Sequence, residues 1–192
     1  ELNILEENTY TQVFSGDSLN CCLDLKKVLK EVEVEYVTVL GNDKLSTDIL
    51  NFFYKKDIKT TYINICENKN PIVYINNSET NPTYLPSNLL KKDISFTNFS
   101  TITNKLSEFD LLYFSSNSIS MMNKEERISF FKMIKKLRMQ GVKVVFEFNY
   151  ISKMYKSRDE AIKIYETSIH YADILLSSIS DEKQIWGSID SL

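Results

Sequence analysis

Hydrophobic and polar positions along this chain alternate between two periods. Leu19, Cys22, Leu23, Leu29 and Val32 recur at helical spacing, which predicts an amphipathic helix over residues 17–31. Residues 34–40 are apolar and β-branched, the signature of a buried strand. Ser46 or Thr47 can cap a second helix running to about residue 56, with Ile49, Leu50, Phe52 and Phe53 inward. Beyond it, residues 61–65 and 72–75 read as two short strands around Asn68-Lys69-Asn70-Pro71, a hairpin signal. The polar stretch 76–88 contains Pro82 and Pro86 and reads as loop or edge strand.

Strand and helix then alternate again. Residues 110–115 form a predicted strand. Asn123 caps the next helix, with Glu126 in the reciprocal position of a capping box. Ile128, Phe131, Ile134 and Leu137 are its expected buried stripe, and Gly141 can end it. Residues 142–148 are a strand. Ser157 and Glu160 make a second capping box, opening a helix to about His170, and residues 173–177 are the last strand. Strands separated by helices of this length imply right-handed crossovers and a mainly parallel α/β sheet. With no repeat and no low-complexity linker, residues 1–192 read as a single domain.

Composition narrows the function. The 192 residues are 43% hydrophobic and 26% charged, enough for a sizeable core. A net charge of −3 favours neither nucleic acid nor an anionic membrane as partner. No apolar run reaches the roughly 18 residues of a membrane span, and the start lacks a secretory leader pattern. Cys21, Cys22 and Cys66 make neither a disulfide framework nor metal-ligand spacing, so a reduced, cytoplasmic setting is expected. Walker-type and Rossmann glycine motifs are absent. His170, the single histidine, falls late in a helix, where its charge suits the helix dipole.

In a parallel α/β sheet, ligands bind beyond the carboxyl ends of the strands. Gly16-Asp17-Ser18-Leu19-Asn20 opens the first helix. Gly16 permits a tight turn, and Asp17 and Asn20 lie one helical turn apart, with groups that suit sugar hydroxyls. The structural alternative is that Asp17 or Ser18 is only an N-cap. Gly41-Asn42-Asp43 is by itself a turn. Asn149 directly follows an apolar strand, with Lys153 as a nearby cation; the alternative is a turn residue bonding its own backbone. Asp181 and Glu182 follow the last strand and can orient hydrated magnesium; the alternative is a helix N-terminus that favours acids.

In this order and spacing, these segments resemble the landmarks of ribokinase-like (PfkB) sugar kinases, especially 2-keto-3-deoxygluconate kinases. Ser15-Gly16-Asp17-Ser18-Leu19-Asn20 resembles the family's Gly-Gly-Asp-x-x-Asn substrate segment. Residues 36–43 resemble its strand ending in Gly-x-Asp. Ile72-Val73-Tyr74-Ile75 resembles the lid strand whose tyrosine faces the sugar. Residues 110–115 resemble the strand leading to a Ser-Gly pair. Glu147-Phe148-Asn149-Tyr150 resembles the Asp-x-Asn-Tyr-Arg strand end, and Ser178 to Glu182 the acidic segment after the next strand. The resemblance implies a three-layer α/β/α fold with a small β lid, built from residues about 8–14 and 60–88. It implies ATP-dependent phosphorylation of a sugar or sugar acid with magnesium, and a homodimer formed through the lid. Substrate contacts would fall on Gly16, Asp17, Asn20, Tyr74, Asn149 and Lys153, and phosphate or metal contacts on Asp181 and Glu182.

The chain also departs from that family pattern. Its four glycines, Gly16, Gly41, Gly141 and Gly187, include no Gly-Ala-Gly-Asp segment. The ATP-binding part with the catalytic base, and the first strand, are therefore expected outside residues 1–192. No arginine precedes Arg127, and Ile151 stands where one should follow Asn149-Tyr150. A charge-assisted pair to a sugar carboxylate is worth ~1.5–3 kcal/mol. Ser15 and Ser116 replace family glycines and add a Cβ near the ligand. Two readings follow: an active sugar kinase, or a non-catalytic relative serving as a binding or scaffold subunit of a larger assembly.

Overall fold

The structure is a computed structural model describing residues 2–6, 9–67, 74–78, 81–85 and 99–187, with side chains at 13–67, 99 and 101–187. The chain forms two compact units, Glu1–Thr97 and Asn98–Leu192.

In the first unit, β1 (Leu2–Glu6) and β2 (Thr9–Gln12) pair antiparallel. They precede α1 (Asp17–Val28), β3 (Thr38–Gly41), α2 (Lys44–Lys55) and β4 (Ile63–Cys66). β3 and β4 are parallel, with Thr38 opposite Ile63 and Gly41 opposite Cys66. Leu19 of α1, Val34, Phe53 of α2 and Ile58 are buried together, with Phe14, Cys22 and Tyr36 packed against them. The Tyr36 and Phe53 rings lie 4.9 Å apart.

The expected hairpin is displaced. Among the described residues, 63–66 pair only with β3, in parallel, across α2. The hairpin is instead β5 (Tyr74–Ser78) with β6 (Asn81–Leu85), Tyr74 opposite Leu85 and Ser78 opposite Asn81. Short polar–apolar alternation marks a strand but not its partner, and a helix between two strands favours parallel pairing. Pro82 is tolerated in β6 because both strands of a two-stranded hairpin are edges. The expected turn at 68–71 and residues 72–73 lie outside the described residues.

Two further expectations shift. α1 stops at Val28, and Leu29 is 52% exposed, so the inward stripe is Leu19, Cys22 and Leu23. The cap of α2 is Asp43, not Ser46 or Thr47: its Oδ1 accepts from the Ser46 N–H at 2.8 Å.

In the second unit, α3 (Phe99–Leu106), β7 (Leu111–Ser115), α4 (Ser116–Ser120), α5 (Lys124–Met139), β8 (Lys143–Glu147), α6 (Arg158–Tyr171), β9 (Ile174–Leu176) and α7 (Ile179–Trp186) follow in turn. The sheet order is β7-β8-β9, all parallel. Asn123 and Glu126 close the expected capping box of α5, and Gly141 takes φ +98° just after it. The buried face of α5 is Phe130, Met133, Ile134 and Leu137; Ile128 is 48% exposed and Phe131 stacks on Tyr171. At α6 the capping is one-sided. Ser157 accepts from the Glu160 N–H, while the Glu160 carboxylate accepts from the Lys156 N–H and pairs with Arg127.

Candidate functional site

In the first unit, the start of α1 has an unusual construction. The N-cap residue is Gly16, with φ +143°, and it offers no side-chain cap. Neither Asp17 nor Ser18 is the N-cap, so that structural alternative is not what forms. A Cβ at Gly16 would meet no atom within 4 Å, so the space beside it is open; only the backbone conformation demands glycine. Asp17 sits in the first turn, where the helix dipole favours an acid. Asn20, exposed, donates its N–H to the Gly16 carbonyl at 2.7 Å. Gly16, Asp17 and Asn20 are thus held on one turn.

Three neighbours of this turn are distinctive. Among the described residues, the buried Ser15 hydroxyl has no hydrogen-bond partner. Burial, with Cys21 beside it, pushes the Cys22 thiol up to about 12, away from the thiolate form, and the side chain packs half-buried against the Leu19 cluster. Burial, then the proximity of Cys22 and Asp17, raises the Tyr36 phenol against the opposing hydrogen bond with Ser18. Asp43, read as a turn residue, is the α2 cap; its second oxygen is buried and has no partner among the described residues. Tyr74 opens β5, opposite Leu85.

In the second unit, the carboxyl edge of β8 is tied down from three sides. The Phe148 carbonyl accepts from the Tyr165 hydroxyl of α6 at 2.5 Å. The Asn149 carbonyl accepts from the Ser116 hydroxyl of α4 at 2.9 Å. The Tyr150 N–H donates to Asp181 of α7 at 3.0 Å. Asn149 itself has φ +34°, a left-handed backbone that few residues with a Cβ adopt. Tyr155 donates to the Ser116 carbonyl at 3.2 Å, and burial raises the phenols of both Tyr155 and Tyr165. Nearby, the Tyr113 hydroxyl of β7 donates to Glu147 at the end of β8.

The acidic pair after β9 is also engaged. Ser178 caps α7 and forms a capping box with Asp181, whose Oδ2 accepts from the Ser178 hydroxyl at 2.6 Å. Glu182 accepts from the Ser177 hydroxyl at 2.5 Å. Lys153 is exposed, in a 3-10 turn at Ser152–Met154 just past Asn149. All three arginines serve the second unit's own fold. Arg127 pairs with Glu160 at 3.1 Å, Arg138 with Asp173 at 3.1 Å, and Arg158 donates to the Ile185 carbonyl at 3.0 Å. Residue-by-residue reading did not single out Tyr113, Glu147 or the link from Ser116 to Asn149. The one sequence signal for them is their position beside the recognised segments.

Comparison with known proteins identifies this arrangement. A model described as pfkB family carbohydrate kinase matches residues 1–190. The chain belongs to the pfkB family. Among curated pfkB-type relatives, the 2-dehydro-3-deoxygluconokinase of Dickeya dadantii (strain 3937) is 28% identical over 185 residues, covering 92% of this chain and 59% of that protein. The protein of the same name from Escherichia coli (strain K12) is 26% identical over 183 residues, covering 91% and 59%. The chain therefore spans 59% of the length of either relative. Among solved structures, 2-dehydro-3-deoxygluconokinase from Thermotoga maritima superposes with a TM-score of 0.79 at 20% identity, covering 100% of this chain and 60% of that one. A PfkB protein from Polaromonas sp. JS666 gives 0.81 at 14% identity, covering 97% and 65%. The fold is the ribokinase-like α/β fold.

Proposed function

We propose that this chain carries the sugar-binding part of an ATP-dependent kinase acting on 2-keto-3-deoxygluconate or a related sugar acid. One observation carries the reading: four curated 2-dehydro-3-deoxygluconokinases, each aligned over more than nine-tenths of the chain, match a pfkB family member. The uncapped, glycine-led start of α1 supports it. There Asp17 and Asn20 take sugar hydroxyls, and Gly16 lets the ligand approach the backbone. In the second unit, taken by itself, Asn149 is a polar contact for a ligand. Lys153, exposed just past Asn149, is a cation for the acid group, since each arginine is already engaged. Tyr74, at the head of the β5–β6 hairpin, belongs to the lid through which two copies pair.

Kinases of this family generally use ATP and a divalent metal, and the described residues do not fit a metal centre of their own. Among them, no group of three His, Cys, Asp or Glu side chains could hold an ion. Both Asp181 oxygens and one of Glu182 already accept hydrogen bonds. Asp181 and Glu182 would therefore serve best as outer-shell partners of a hydrated ion, and no step is routed through metal here. Among the described residues, no helix is long and apolar enough to cross a membrane. Three free cysteines fit a reducing compartment, and we assign the cytoplasm. The relatives matched by this chain give no support to the non-catalytic alternative.

The test is ADP formation by the gene product carrying residues 1–192, with ATP–magnesium and 2-keto-3-deoxygluconate, gluconate or ribose. Turnover confined to sugar acids supports the reading. Turnover on ribose alone, or none with any substrate, overturns it.

A further inference from the structure

Ser116 stands where the family resemblance expects glycine, and its side chain is used. It is fully buried, so water does not compete for its hydroxyl. That hydroxyl donates to the Asn149 carbonyl, and the Ser116 carbonyl accepts from Tyr155. Asn149 holds a left-handed backbone at φ +34°, which Asn tolerates better than most residues but which still needs support from its surroundings. The residues on either side are fixed by Tyr165 and Asp181. The bonds from Ser116 and to Asp181 hold the two ends of one planar peptide unit, the Asn149 carbonyl and the Tyr150 N–H, and the first of them is one that glycine at position 116 could not make.

We infer that Ser116 is a positioning residue: its hydroxyl holds Asn149 in the left-handed conformation from which Asn149 meets the substrate. The ligand half of this statement rests on the sugar-acid reading above; the conformational half does not. The serine is then a replacement that takes up a positioning task in this chain, through the hydroxyl that its added Cβ carries to the Asn149 carbonyl.

Backbone NMR of isotope-labelled protein tests the conformational half. The three-bond HN–Hα coupling and the Cα shift of Asn149 report φ, and exchange of the Tyr150 amide reports the neighbouring bond to Asp181. In Ser116→Ala, Asn149 leaves the left-handed region and the Tyr150 amide exchanges roughly threefold to tenfold faster. Ser116→Thr, which keeps the hydroxyl, retains the wild-type signature. A purely structural hydroxyl would lower the melting temperature and leave φ at Asn149 unchanged. Unchanged coupling and unchanged Tyr150 protection therefore overturn the inference. Should Ser116→Ala not fold, Ser116→Cys, close in size and a weaker donor, is measured instead.

Calorimetric titration of the gene product with 2-keto-3-deoxygluconate tests the ligand half. Ser116→Ala is expected to bind roughly threefold to tenfold more weakly than wild type. Equal affinity overturns the positioning role. A wild type that binds no sugar acid overturns the sugar-acid reading and the ligand half with it, while the NMR result still decides whether Ser116 holds Asn149.

Discussion

Asp181 accepts a hydrogen bond from the Tyr150 backbone N–H at 3.0 Å, joining the first turn of α7 to the residue after Asn149. The same carboxylate closes the α7 capping box with Ser178. Asp181→Ala removes both, with an expected loss of ~1–3 kcal/mol in urea unfolding. Asp181→Asn keeps an acceptor for Tyr150 and is expected to cost less. Equal losses for the two variants would show that the bond to Tyr150 contributes nothing.

Gly16→Ala is expected to destabilise the protein by about 1–3 kcal/mol, although its Cβ meets nothing within 4 Å. The cost is in the backbone, because φ +143° with ψ 152° is essentially a glycine conformation. Thermal melts of Gly16→Ala and Gly141→Ala provide the comparison. A neutral Gly16→Ala would mean that this turn relaxes without penalty, and its role in shaping the sugar site would fall with it.

Stability should decline in alkali. The Cys22 thiol ordinarily titrates near 9.0 and is pushed up to about 12, and the Tyr36 phenol is raised in the same direction from 10.0. A raised folded pKa contributes stability that is complete below the unfolded value and is lost as pH climbs through the folded one. Urea midpoints should therefore fall above the ordinary thiol value of 9.0 and keep falling toward about 12. Cys22→Ala and Tyr36→Phe each flatten that slope. In native protein at mildly alkaline pH, Cys22 is expected to be the last cysteine to react with iodoacetamide; labelling as fast as Cys66 would contradict its burial.

The acid side depends on Asp173 and Glu160. Burial alone would raise both carboxyls. For Asp173 the Val144 N–H and Arg138 outweigh it, and for Glu160 the Lys156 N–H and Arg127 do, so both end below their ordinary values of 3.8 and 4.5. A depressed folded pKa contributes stability present above the unfolded value and lost as pH falls through the folded one. The second unit should weaken as pH drops below these ordinary values. Asp173→Asn and Glu160→Gln should lower stability at neutral pH and reduce the acid slope. A titration whose slope is identical in wild type and both variants would exclude these pairs as its source.

Much of the architecture was legible from local chemistry. The capping box at Asn123 and Glu126, the cap at Ser157, the glycine after α5 and the β-branched runs of β3 and β8 are signals written within a few residues. The errors arose where the answer lay farther away. Residues 63–66 look the same whether they pair with the strand before or the strand after. Leu29 continues a helical period that its helix does not follow. Ile128 carries the apolar mark of a core residue but faces solvent, because the orientation of α5 against the sheet is set by Phe130, Ile134 and Leu137.

The candidate site divides along the same line. The sequence by itself determined where polar groups follow strands: Gly16, Asp17 and Asn20 at one turn, and Asn149 and Asp181 after β8 and β9. It also determined which arginines were missing. Only tertiary structure decided that the remaining arginines are occupied, that Asp181 fixes Tyr150, and that Ser116 bonds the carbonyl of Asn149, 33 residues away. Hydrophobic period and capping act over one or two turns of chain, so a sequence records them directly. A hydrogen bond between distant segments depends on how buried side chains pack to bring donor and acceptor within 3 Å, and no single segment carries that information.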